Sequence, residues 1–373
     1  MRATVLALLV LILCVGCDSG ERAREPAPPP GHYLVYDKLI DEKGIWIADA
    51  DGSNPRLLVR DGSLPAISPD GRWVAYSAGC EMPGFNCDKA MLVGTGAGDK
   101  PRLLGDGLGG TMRWTPDSKR LVTQVGPLDE VNEIATIDVA SGEVTRLVKG
   151  KLFGWSLSPN GTQIVFARAA NPHADMAYRP GADLFVVGVD GGAPKRLTET
   201  GDAIEPVWGP KSIAFAKVIS CFGRGGGLRP PAQAARMHCF NNSWGRDEIW
   251  RIQPDGTGRT PITAALPREF QNQGCIGLIP IDWSEDGRAL LAAWRCEFSD
   301  SPVAVDLDTG APRALPWWAA ETAGLSRDGR FALVRTDTGP ETPPAKETVL
   351  IFPYAGGKPK LVARGARDPS WNR

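Results

Sequence analysis

The sequence predicts an all-β fold, a seven-bladed β-propeller of four-stranded blades. Three observations predict it: one phrase recurs six times at intervals of some tens of residues, the two ends of the chain complete a further unit, and 44 glycines with 32 prolines leave little room for long helices. Those two residue types make up about a fifth of 373 residues, against an average share of roughly 12%. With 42 basic and 43 acidic side chains the formal net charge is -1. That balance argues against a nucleic-acid binder, which carries a basic domain, and against a polybasic membrane-surface protein. Three histidines, His32, His173 and His238, are too few for a histidine-rich metal centre, and no cofactor motif is present.

Residues 1–16 read as an export signal: one arginine, an apolar run of about thirteen residues, then small residues ahead of Cys17. The run is shorter than the roughly 20 residues a spanning helix needs. Its end, CVGC, resembles the bacterial lipobox, which makes Cys17 the lipidated residue. Cys14 stands where the lipobox has leucine, so ordinary signal-peptidase cleavage is the alternative. Residues 17–31, rich in proline and without large apolar side chains, form a tether. The expected location is the cell envelope, lipid-anchored outside the cytoplasm, with the choice of membrane left open.

The propeller spans 32–373. Its repeat is ISPDGRWVAYS from Ile67, WTPDSKRLVTQ from Trp114, LSPNGTQIVFA from Leu157, WGPKSIAFAKV from Trp208, WSEDGRALLAA from Trp283 and LSRDGRFALVR from Leu325. Each copy is a strand end, a tight polar turn and a second apolar strand, the mark of a hairpin. Third and fourth strands follow, as in DLFVVGVD with PKRLT and EIWRIQPD with TPIT. Four strands at this period describe propeller blades. YLVYDKL, GIWIADADG and PRLLV near the N-terminus lack a first strand, and the final ARDPSWNR is a first strand with nothing after it. Joined, they close the ring as a seventh blade; read as a mere tail, the last segment would leave six.

The SPDG turns, and DADGSNPRLL after an IWI strand, resemble the TolB-type β-propeller repeat over about 340 residues. That family carries an α/β domain and six blades, neither of which is read here. The resemblance implies a relative of the propeller, and an envelope setting.

Six cysteines remain in the exported body, and disulfides are expected there. The hairpin geometry pairs Cys80 with Cys87, Cys221 with Cys239 and Cys275 with Cys296. All three fall on the face carrying the loops between second and third strands and between blades. Those loops are long and varied, whereas the turns on the opposite face are short and formulaic, so binding is expected on the long-loop face.

The strongest binding candidate is loop 219–247, with Phe222, Arg224, Arg229, Arg236, His238, Phe240, Trp244 and Arg246. Arginine and aromatic side chains dominate interface hot spots; the structural reading is a solvated loop packed on its own blade. Trp317 and Trp318 offer a second aromatic platform on that face, or blade-to-blade packing. Aligning the first strands places Leu64, Thr111, Gly154, Glu205, Pro280, Thr322 and Asp368 around the channel mouth, where Glu205 and Asp368 form an acidic pair. Asp49, Asp51 and Asn54 begin like a calcium loop but lack its closing glutamate, so they read as turn residues. The glycines of 223–227 lack phosphate-loop context. Ser68, Ser158, Ser284 and Ser326 belong to the repeat turn, and GWSLS from Gly154 has no helix to form a nucleophile elbow. With the closing strand ending at Arg373, no hydrolase domain is expected after the ring.

The expectation is a monomeric, non-catalytic envelope lipoprotein that binds a protein partner or an envelope polymer. The rival is a glycan lyase or hydrolase working through Glu205 and Asp368 at the channel mouth.

Overall fold

A computed structural model describes residues 32–82, 85–126, 131–170, 181–218, 221–222, 228–229, 247–263, 275–296, 300–315, 320–336 and 346–372. The expected signal, the expected lipidation site at Cys17 and the expected tether lie outside them. Seven four-stranded antiparallel sheets form the ring. Blade 1 starts at Ser63–Ile67, blade 2 at Met112–Trp114, blade 3 at Leu152–Leu157, blade 4 at Ala203–Trp208, blade 5 at Cys275–Trp283 and blade 6 at Ala320–Leu325. Blade 7 is composite: the C-terminal strand Ala366–Trp371 pairs with Tyr33–Lys38, which continues into Gly44–Asp49 and Arg56–Val59. Its register sets Leu34 opposite Trp371 and Asp37 opposite Arg367. Asn372 fastens the end, its Oδ1 accepting from Tyr33 N at 2.7 Å.

Each blade is covered on both faces by its neighbours, so successive residues of the inner strands are buried. Leu34 and Tyr36 pack with Leu333, Val349 and Ile351 of blade 6. Val35, one residue along, packs with Ile67, Val74 and Tyr76 of blade 1. Side chains alternate across a strand, and here both sides meet a core.

The recurring turn has a side-chain cause as well as a backbone one. In five of the six copies a Ser or Thr hydroxyl donates to the Asp or Asn two residues on and accepts from the amide five residues on. Ser68 Oγ lies 2.6 Å from Asp70 Oδ1 and 3.0 Å from Trp73 N. Thr115, Ser158, Ser284 and Ser326 repeat the arrangement. The Ser284 hydroxyl and the Arg288 amide hold Asp286 below its ordinary value. The blade 4 copy has Gly209 in place of the hydroxyl. In the other formulaic turn, Asp49 accepts from Ser53 and Asn54, and Asp51 from Ser53 and from Lys360 of blade 6. Burial opposes its charge, yet these partners hold the Asp51 carboxyl at about 2.

Six of the seven first strands slip register by a bulge, the exception being the three-residue strand of blade 2. Leu64, Gly154, Glu205 and Asp368 sit in these bulges with φ of 53°, 86°, 50° and 47°. The left-handed region costs a non-glycine residue roughly 1–2 kcal/mol, and the ring repeats that cost at equivalent positions. A bulge re-aims the side chain it carries, and Leu64 and Asp368 line the channel.

Candidate functional site

A cavity of 660 Å³ runs along the ring axis, from Leu64, Thr111 and Asp368 at mid-strand to Pro69, Pro116, Pro159 and Pro210 in the short first turns. It therefore opens among the formulaic turns, on the face that the sequence reading set aside. Five tryptophans, Trp114, Trp155, Trp208, Trp283 and Trp371, stand around it. Trp114 and Trp283 are 8% exposed and serve blade packing; the Trp114 indole N–H donates to Ala66 O of blade 1 at 2.9 Å. Trp155, Trp208 and Trp371 are half-buried and supply much of the aromatic wall. The Arg113 guanidinium, exposed, lies 6.0 Å from the Trp155 ring centre.

The carboxylates of the channel are engaged. Glu205 lies 3.3 Å from Arg295 of blade 5, which also lies 3.4 Å from Asp300. Burial works against the charge of Arg295, but the two carboxylates outweigh it and raise its pKa. Asp368 lies 3.6 Å from Arg335 and 3.6 Å from Arg367. Asp282, buried in the lining, accepts from Trp283 N at 2.9 Å and from Leu325 N of blade 6 at 2.8 Å. Glu285 pairs with Arg327 at 2.7 Å. Glu205 and Asp368 belong to blades 4 and 7, with blades 5 and 6 between them, and they pair with different guanidiniums. The structure does not assemble them as an acidic pair, and only Asp368 lines the cavity.

No protein-family model matches the chain. The uncharacterized protein Atu1656 of Agrobacterium fabrum is 31% identical over 182 residues, 46% of this chain and 56% of that protein. Among solved structures, an oligogalacturonate lyase in complex with manganese is 16% identical, covers 88% of this chain and 83% of its own, and superimposes with a TM-score of 0.54. A puromycin hydrolase is 15% identical over 91% of this chain and 53% of its own, with a TM-score of 0.57. TolB from Acinetobacter baumannii is 17% identical over 91% of this chain and 66% of its own, with a TM-score of 0.49. The fold is a seven-bladed β-propeller. These identities speak to fold alone, and this chain spans about half the length of Atu1656 and of the puromycin hydrolase.

Cys80 and Cys87 are cross-strand partners in blade 1 and are bonded, with sulfurs 2.05 Å apart. Cys275 stands opposite Cys296 in the backbone register of blade 5. Cys221 pairs by backbone with Arg229, and Phe222 with Leu228, in a two-residue ribbon that opens the long insertion of blade 4. Cys239, Arg224, Arg236, His238, Phe240, Trp244 and Arg246 lie outside the described residues, as do His173, Trp317 and Trp318. Among the described residues no cluster of three or more His, Cys, Asp or Glu is arranged to hold a metal ion. The repeat-turn hydroxyls of Ser68, Ser158, Ser284 and Ser326 are committed to the turn hydrogen bonds above. What the sequence reading missed is the aromatic cavity. Its signal was present: a proline follows the Ser, Thr or Gly in four of the six copies, next to a tryptophan or aliphatic strand end.

Proposed function

We propose that the protein is a non-catalytic, lipid-anchored envelope protein whose propeller binds a protein partner or an envelope polymer, with the tryptophan-ringed cavity as the seat of binding. The observation that carries this reading is the chemistry of the lining: half-buried indoles and prolines form the walls, and the carboxylates are tied to guanidiniums or backbone amides. Such a mouth offers area and shape. Pockets of this kind, mostly apolar with a few placed polar groups, bind ligands. The anchor rests on the sequence of residues 1–17.

Capture from crosslinked envelopes tests the binding seat. Trp155→Ala with Trp208→Ala should lower the retained partner at least about tenfold, since losing an aromatic hot spot costs about 2 kcal/mol or more. Glu205→Gln should leave capture unchanged. The lyase reading has one thing in its favour, the fold likeness to oligogalacturonate lyase. Under that reading pectic or envelope glycans would gain unsaturated ends, and Glu205→Gln would abolish them. Unchanged capture by the double tryptophan variant, or such an activity, would overturn the proposal.

The anchor has its own check. Cys17→Ser should move the protein from the membrane fraction to the soluble fraction. A variant that stays bound after salt and carbonate washing would exclude lipidation at Cys17.

A further inference from the structure

Where the ring closes, five charged side chains from three distant segments meet in one row. Asp37 lies on Tyr33–Lys38, Arg367 and Asp368 on the C-terminal strand, and Arg335 with Glu347 on blade 6. Arg367 Nε stands between two carboxylates, 3.4 Å from Asp37 and 3.6 Å from Asp368. Arg335 does the same between Asp368 at 3.6 Å and Glu347 at 3.3 Å. Among the described residues, three carboxylates of this row thus share two guanidiniums. Asp37 is its most buried end. Asp37 is 0% exposed, and its Oδ1 and the Arg367 NH2 group are buried without a hydrogen-bond partner. On the adjoining strand Asp37 faces Ile45, and blade 1 offers only the uncharged first strand Ser63–Ile67. Among the described residues, the charges that act on Asp37 are those of Asp368 and Arg367.

We propose that this seam is a proton-linked latch: the ring closes with a proton held on Asp37 Oδ1, and loses stability when that proton leaves. The proton comes from solvent on closure and returns to it on opening, so no other reactant is needed. A buried carboxylate without full pairing takes up a proton in preference to staying charged. In line with this, burial first and the Asp368 charge second push the Asp37 carboxyl well above 3.8, against the opposing pull of Arg367. Because the folded value is the higher one, the stabilisation is complete below 3.8 and is lost as pH rises toward the raised value. Within that window each pH unit lowers the folding constant about tenfold.

The test is the pH dependence of unfolding for the mature chain and for Asp37→Asn, which keeps the shape of the protonated acid. The stability difference between the two should change across the window, with the wild type losing ground as pH rises. A carbonyl stretch of a protonated carboxyl should appear in the infrared spectrum of the folded wild type at about pH 5, above the ordinary carboxylate range, and be missing from the variant. A difference that is constant with pH would overturn the latch. Should Asp37→Asn fail to fold, Asp368→Asn decides: removing the neighbouring charge should end the wild-type loss at a lower pH. Coincident profiles for Asp368→Asn and wild type would also overturn it.

Discussion

Removal of residues 368–373 is expected to lower the thermal midpoint of the entire ring and to promote association. The segment carries most of the innermost strand of blade 7, including the partner of Leu34 and the Asn372 side chain that holds Tyr33 N. Its loss strips Trp371 from the core shared with blade 6. It also bares the edge of Tyr33–Lys38, in which Leu34, Val35 and Tyr36 are 0%, 0% and 2% exposed. Loss of a packed tryptophan alone costs about 3–5 kcal/mol, and in a propeller each unit depends on its neighbours. A fall of about 5 °C or more is expected. Unpaired edges template association between chains, so light scattering should rise on heating. Deletion of 18–30, a segment without large apolar side chains, should leave the midpoint unchanged. The decisive comparison is a pair of melting curves, and equal midpoints for the two deletions would reduce the C-terminal strand to a tail.

The ring itself was legible because its cause is local and repeated. Ser-Pro-Asp-Gly specifies a turn within four residues, and the structure adds only that the hydroxyl and carboxylate staple each other. The composite blade was legible because YLVYDKL lacks a first strand and DPSW lacks the rest of a blade. Aligning the first strands on their closing tryptophan or aliphatic residue set Leu64, Gly154, Glu205 and Asp368 at one position of the repeat, and the structure makes that position a bulge. What alignment could not supply is the identity of each ionic partner. Glu205 looked like half of an acidic pair because Arg295, 90 residues away on the second strand of the next blade, has no local link to it. Asp37 gave no signal at all: its meaning depends on Arg367 and Asp368, more than 300 residues downstream. Inter-blade packing decides such pairings, and packing is not written at a fixed spacing. The same gap hid the cavity, because turn prolines and strand-end tryptophans read as packing residues until the seven blades stand in a circle.

Trp283→Ala is expected to be the most costly single substitution in the channel wall, at about 3–5 kcal/mol. The indole is 8% exposed and packs with Ala214 and Ile249 of blade 4 as well as Leu290 of its own blade. It lies over Gly209 so closely that a β-carbon built there would fall 2.8 Å from the ring. Gly209 is the residue that replaces the turn hydroxyl in the one repeat copy without the staple. The glycine therefore has a packing reason: it clears the space the neighbouring tryptophan fills. Gly209→Val should then cost about 1–3 kcal/mol by overpacking. In the double variant Gly209→Val, Trp283→Ala the valine enters the space the indole leaves, and the combined loss should fall short of the sum by at least about 0.5 kcal/mol. Urea titrations of the wild type, both single variants and the double variant complete the cycle. Additive losses would mean that Gly209 and Trp283 act independently, and the account of why this copy abandons its turn hydroxyl would fail. A sub-additive result would tie the one irregular turn of the repeat to the wall of the cavity it borders.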